Sequence, residues 1–150
     1  MKNLFKKIVV YILTQEAKIL LKRHKPTVIA VTGSVGKTSM KDAIYSILKR
    51  HRTARKSEKS FNSDLGVPLA VLGLPNAWNN PFFWLKNIID GFLIAFFGRE
   101  YPDYLVLEAG VDRPGDMEKL ASWLSPNILV LTRFPDVPVH VEFFDTPKAV

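Results

Sequence analysis

The spacing of apolar residues changes repeatedly along this chain, and each change predicts an element. Between residues 3 and 24, Leu4, Ile8, Ile12 and Ile19 recur at helical spacing among Lys6, Lys7, Lys18, Lys22 and Arg23. That pattern predicts a helix with one apolar side on those and similar residues, and Pro26 ends it. The helix either packs on the domain or extends from it, or else lies on an anionic membrane surface as a basic amphipathic helix. Thr27-Val28-Ile29-Ala30-Val31-Thr32 is continuously apolar and β-branched, as in a strand covered on both faces of a parallel sheet. From Ser39 to Arg50 the helical period returns, with Met40, Ala43, Ile44, Ile47 and Leu48 on one face. Residues 51–66 are polar and basic and read as a loop with a short strand near Thr53, after which Gly66-Val67-Pro68 opens an apolar segment that runs to Leu74.

Residues 78–98 carry Trp78, Phe82, Phe83, Trp84, Phe92, Phe96 and Phe97, with Lys86 and Asp90 as charged interruptions. They read as a helix with an unusually apolar surface. It is either buried against the sheet or another part of the protein, or in contact with a membrane interface, where Trp and Phe are favoured. Tyr104 to Glu108 is a second buried strand ending in a carboxylate, Asp116 to Leu124 a short helix, and Asn127 to Thr132 a third buried strand. Thr146 before Pro147 reads as a helix N-cap with proline at the first helical position. The expected fold is α/β, a P-loop-type parallel sheet with flanking helices, incomplete at its C-terminus. Residues 1–25 are expected to form a basic helical extension and residues 26–150 the domain itself.

A chain of 150 residues, 47% of them hydrophobic, is enough for one compact domain with a real core. The absence of cysteine excludes disulfides and thiolate metal sites and fits a reducing compartment. The apolar run Ile8 to Leu13 is far short of the roughly 20 residues of a membrane-spanning helix. No small-residue cleavage site follows it, so the expected location is the cytoplasm, either free or peripheral at the inner face of the membrane. Charge is uneven: residues 1–59 hold fifteen Lys/Arg against three Asp/Glu, and residues 60–150 hold six against eleven. The basic front half suits an anionic partner, namely nucleotide phosphates, an acidic membrane surface or nucleic acid, or else it forms solvated helix faces.

The chemistry concentrates after the first strand. Thr32-Gly33-Ser34-Val35-Gly36-Lys37-Thr38-Ser39 lies between a predicted strand and a predicted helix, the setting a phosphate-binding loop needs. Backbone N–H groups of such a loop, with the helix N-terminus behind them, point at phosphate oxygens. Lys37 would reach the outer phosphates, and the Thr38 hydroxyl would bind magnesium. The strict pattern wants a glycine where Val31 stands, so a shorter motif remains. Glu108 ends a strand at the edge where open α/β sheets bind ligands and can hold magnesium beside the phosphates. His140 follows the third strand and could ligate a second metal ion, or be an ordinary loop histidine. His24 and His51 lie in basic stretches and suggest only solvated positions.

Together these segments resemble the central ATP-binding domain of the Mur ligases over residues 26–147. Thr32 to Ser39 match that family's loop, including its departure from the strict P-loop. Phe61-Asn62-Ser63-Asp64-Leu65-Gly66-Val67-Pro68, Leu107-Glu108-Ala109-Gly110 with Arg113-Pro114-Gly115-Asp116, and His140-Val141-Glu142-Phe143-Phe144 resemble its next three segments in order. The Asn62-to-Pro68 and Arg113-to-Asp116 segments look most like the branch that adds D-alanyl-D-alanine. The resemblance implies ATP and Mg2+ as cofactors. It implies a UDP-muramoyl-peptide-like substrate, an amine acceptor and an acyl-phosphate intermediate on the way to an amide. It also implies nucleotide contacts from Thr32 to Ser39 and Asn62. By the family pattern Lys37, Glu108 and His140 are catalytic, and Thr38, Glu108 and His140 bind metal.

The sequence departs from the family in several places. A basic helix stands where a substrate-binding domain usually precedes the loop, Ser60 replaces a frequent asparagine, residues 78–98 look like an insertion, and the stretch from Thr132 to His140 is long. The lysine that many members carbamylate would lie beyond Val150. Three further readings stand beside this one: a relative of cyanophycin or folylpolyglutamate type, a membrane-surface nucleotide-binding module without ligase activity, and, last, nucleic-acid binding. The last rests on Lys49 to Lys59 without a recognised module, so no nucleic acid is expected.

Overall fold

A computed structural model of the chain describes residues 2–58, 61, 63–110 and 115–133. Their order is α1 (Lys2–His24), β1 (Thr27–Thr32), α2 (Lys37–Leu48), β2 (Ala54–Lys56), α3 (Gly66–Leu72), α4 (Pro81–Phe97), β3 (Tyr104–Glu108), α5 (Asp116–Leu124) and β4 (Ile128–Leu131). The four strands form one sheet in the order β2-β3-β1-β4, and every pairing is parallel.

The period-2 alternation of β1 and β3 sends side chains into two separate layers. Val28, Leu105 and Leu107 join a large core with Leu13, Leu20, Val67, Leu69, Trp84 and Leu124, so α1, α3, α4 and α5 cover this face. Ile29, Val31 and Val106 face the other way, where Ile44, Tyr45 and Leu48 of α2 pack on them. The continuous apolar pattern of the two central strands thus has its physical reason in helices on both sides.

Three expectations change. The buried side of α1 is Val9, Leu13, Ala17 and Leu20, whereas Leu4, Ile8 and Ile19 are exposed. Two overlapping apolar stripes run along this helix, and the one with the small Ala17 allows close approach to α3 and α4. On α2, Met40 and Ile47 are exposed while Lys41 is buried, because the stripe that faces the sheet is Lys41, Ile44, Tyr45 and Leu48. Finally β4 is not a buried strand: Ile128, Leu129 and Leu131 are exposed. It pairs with β1 along one side only, and among the described residues no strand lies beyond it.

The aromatic segment is helical from Pro81, one position after its cap. The Asn80 side chain accepts from the backbone N–H groups of Phe82 and Phe83, and Pro81 occupies the first turn, where a missing N–H costs nothing. The beginning of a helix expected at Thr146-Pro147 lies outside the described residues.

Candidate functional site

The site begins where β1 ends. After Thr32 the chain turns through Gly33 (φ 131°) and Gly36 (φ 89°), both in the left-handed region that side chains avoid. A Cβ on Gly33 would stand 2.2 Å from Thr132 Oγ1, so only glycine lets the loop lie against the end of β4. Gly36 opens onto free space and precedes α2, whose N-terminus carries no side-chain cap. That helix end therefore offers backbone N–H groups and a positive dipole with no side-chain acceptor in place.

Two loop amides are engaged: Ser34 and Val35 both donate to the Arg133 carbonyl, at 3.2 and 3.3 Å. Lys37 folds back over its own loop, its Nζ donating to the Gly33 carbonyl at 2.5 Å and the Ser34 carbonyl at 3.3 Å. The loop is thus closed on itself in this state, with its lysine held by main-chain oxygens that an anion could replace.

Glu108 ends β3, the strand hydrogen-bonded beside β1. Its Oε2 accepts from the Thr38 hydroxyl at 2.9 Å and lies 3.5 Å from Lys41 Nζ. Its backbone N–H donates to the buried Ser57 hydroxyl at 3.0 Å. The carboxylate is 7% exposed and Lys41 is 1% exposed. Removing two such charges from water costs several kcal/mol apiece, on the order of what only a close, hydrogen-bonded counter-charge offsets. Glu108 and Lys41 supply that to each other.

The crossovers frame this point. The connection after β1 runs through α2 on one face of the sheet, and the one after β3 runs through α5 on the other. Thr38 and Glu108 therefore meet at a reversal of winding, the place where open α/β sheets accept ligands. Beside it, a cleft of about 730 Å³ reaches from Gly110 to α1 and α5, lined by Lys6, Lys7, Asp64, Asp116 and Lys119 among others. A second cavity of about 320 Å³, between α1 and Trp123, touches Val28 at the opposite end of β1 and stands away from the loop.

Among the sequence candidates, then, Thr32 to Ser39 and Glu108 converge. His140 and Asn62 lie outside the described residues, as do Arg113 and Pro114. Among the described residues no group of three or more His, Asp and Glu side chains is placed to hold a metal ion. A magnesium ion at Thr38 and Glu108 would have to take its remaining ligands from water and phosphate oxygens, as is usual for that ion with nucleotides. The donor set fits that arrangement.

No family model matches the chain. It is, however, 30% identical over 142 residues to the UDP-N-acetylmuramoyl-tripeptide–D-alanyl-D-alanine ligase of Borreliella burgdorferi, an alignment covering 95% of this chain and 25% of that protein. The ligase of the same name from Bacillus subtilis is 31% identical over 120 residues, covering 80% of this chain and 21% of that protein. In structure, MurF ligase from Thermotoga maritima, solved in complex with ADP, matches with a TM-score of 0.65 and 29% identity over 93% of this chain and 27% of that one. The chain belongs to the Mur ligase family. MurF from Acinetobacter baumannii, at a TM-score of 0.67 and 23% identity, shares the fold. The chain spans about a quarter of the length of the Mur ligases it matches.

Two residues of this Mur ligase site were missed from sequence. Lys41 carries a signal in hindsight, being a cation at a sheet-facing position of α2, in phase with Ile44 and Leu48. Ser57 carries none, since its place follows from β2 pairing with β3 in register Lys56 to Val106.

Proposed function

We infer that this chain is the ATP-binding portion of an ATP-dependent carboxylate–amine ligase of peptidoglycan precursor synthesis, working in the cytoplasm. The observation that carries the reading is the Thr38 hydroxyl on the Glu108 carboxylate at 2.9 Å, at the mouth of a glycine loop with an uncapped helix behind it. The named ligases among its relatives, one of them solved with ADP, support the choice of nucleotide.

In this reaction class an oxygen of the substrate carboxylate attacks the terminal phosphorus of ATP, the bond to the bridging oxygen breaks and ADP leaves. The acyl phosphate is then attacked by an amine, which loses a proton as phosphate departs, leaving an amide. Catalysis of the first step is mostly positioning and neutralisation of charge on the transferring group. Lys37 would leave the Gly33 and Ser34 carbonyls to contact the outer phosphates. The amides from Gly33 to Thr38, flanked by Thr32 and Ser39, would line the phosphates, and Asn62 would add a contact to the nucleotide. Thr38 and Glu108 would hold magnesium, with His140 on a second ion, and bound metal supplies further neutralisation at the phosphates. The adjoining cleft, with lysines and carboxylates on its walls, offers room for a UDP-muramoyl-peptide-like substrate and the amine.

Calorimetric titration with ATP and magnesium tests this reading. The 150-residue chain is expected to bind, and Lys37→Ala to lose at least about tenfold in affinity, the order expected for a charge-assisted phosphate contact. A folded chain that binds no nucleotide, or binds it equally well without Lys37, would overturn it.

A further inference from the structure

Helix α4 is apolar nearly all round. Along the side buried against α1 it presents Trp84, Asn87, Gly91 and Ala95, where the buried carboxyl of Glu16 approaches so closely that a Cβ on Gly91 would meet it at 2.2 Å. Along the opposite side, Phe82, Phe83, Ile89, Phe92, Leu93 and Phe97 stand in solvent, with Phe82 80% and Phe97 67% exposed. The side facing the protein adds Trp84, Ile88, Ile94 and Ala95 to the core, so the helix is apolar on both sides. Single exposed apolar residues need no explanation, but a whole helix face does, because a water-facing helix normally carries polar residues there.

We propose that the outer face of α4 lies in the interface of an anionic lipid membrane, parallel to its plane, with the flank of α1 against the headgroups. Three observations select a lipid surface over a protein. First, charge: the last two turns of α1, which packs directly along α4, carry Lys18, Lys22 and Arg23 with no acid among them, and Glu16 just before them is buried. That end of α1 is cationic, and basic residues near a membrane surface are drawn to acidic headgroups. Second, the outer face lacks the polar contacts by which a protein partner is specified. Its charged groups, Lys86 and Asp90, are paired with each other. Third, aromatic rings mark both ends, with Trp78 77% exposed before the helix and Phe97 at its close, the placement that interfacial helices favour. The helix lies on the membrane and does not cross it: it has 17 residues, one side is committed to α1, and no helix among the described residues is long and apolar enough to span. This surface is independent of the nucleotide site, so either can fail alone.

The test is co-sedimentation of the chain with vesicles of phosphatidylcholine, with and without phosphatidylglycerol, alongside analytical ultracentrifugation without lipid. The wild-type chain should pellet with the anionic vesicles, more weakly with the neutral ones, and less as salt is raised. Replacing three exposed residues together, Phe82→Ser, Ile89→Ser and Phe97→Ser, should reduce binding at least about tenfold while leaving the circular dichroism spectrum intact. Lys18→Glu with Lys22→Glu should remove the preference for anionic lipid. The chain also holds Trp84 and Trp123, so brominated lipid should quench part of the wild-type emission, and Trp78→Phe should remove that quenched part. Absence of the wild-type chain from both pellets overturns the proposal, as does binding indifferent to the three serines. A lipid-free dimer that the serines dissociate would assign the face to a second copy of the chain and equally overturn it.

Discussion

The carboxyl edge of β1 and β3 and the outer face of α4 break the same rule in opposite directions. At the edge, Lys41 and Glu108 are buried charges, each held by partners within 3.5 Å. On α4, large apolar side chains are exposed and nothing among the described residues covers them. Solvent-averse groups outside and solvent-loving groups inside both cost stability, so neither persists without compensation. At the edge the compensation is internal, from the Lys41 and Thr38 contacts of Glu108. On α4 it must come from outside the described residues. The comparison separates a site whose geometry is prepared by its own hydrogen bonds from a surface defined by what it lacks.

Breaking the edge should have the largest effect. Lys41→Met leaves the Glu108 carboxylate buried with the Thr38 hydroxyl as its remaining side-chain partner, and is expected to cost about 3 kcal/mol or more. It would be read as a lower urea midpoint, and adding Glu108→Gln should recover much of the loss. A midpoint unchanged in Lys41→Met would show that the pair does not compensate as described.

Next comes the seam beneath α4. Leu13 is fully buried in the core that α1 shares with α3 and α4, so Leu13→Ala should cost about 2–5 kcal/mol. If residues 1–25 were only an appendage, the unfolding of the remaining domain would not change.

The same seam should respond to pH. Burial pushes the Glu16 carboxyl up from 4.5 to about 7, and its Oε2 finds no hydrogen-bond partner among the described residues. Between those two values the folded chain keeps a proton that the unfolded chain has released. Stability should therefore be full below the unfolded value and fall as pH rises through about 7, by about 1–3 kcal/mol in all. Glu16→Gln should flatten that slope in thermal melts taken across the range. The smallest expected effect is at the helix cap: Asn80→Ala should cost about 1 kcal/mol, measurable as a reduced denaturation midpoint, without touching the exposed face.

Much of this architecture was legible in the sequence. The continuous β-branched run of β1 and the carboxylate at the end of β3 announced two covered parallel strands, and the glycine spacing between β1 and α2 announced a tight turn into a helix N-terminus. What failed to show has a common cause. Which of two apolar stripes on α1 turns inward depends on Ala17 fitting against other helices, and the exposure of β4 depends on which strand lies beside it. The Lys41–Glu108 pair depends on two residues 67 positions apart in sequence being brought together by the register of β1 with β3. Period and propensity report a residue's own preferences, and these are properties of pairs. Residues 78–98 are the instructive middle case, since composition alone raised both burial and a membrane contact, and the structure buries Trp84 and Ala95 while leaving Phe82 and Phe97 exposed.

The central claim is that Thr38 and Glu108 hold magnesium for a nucleotide bound by the loop. The most direct test is calorimetry of ATP binding with and without magnesium in the wild-type chain and in Glu108→Gln, a near-isosteric change. The account predicts that magnesium strengthens binding in the wild-type chain and that this gain, expected at about tenfold or more for loss of a charged ligand, disappears in Glu108→Gln while metal-free binding persists. An equal magnesium gain in both proteins would contradict it.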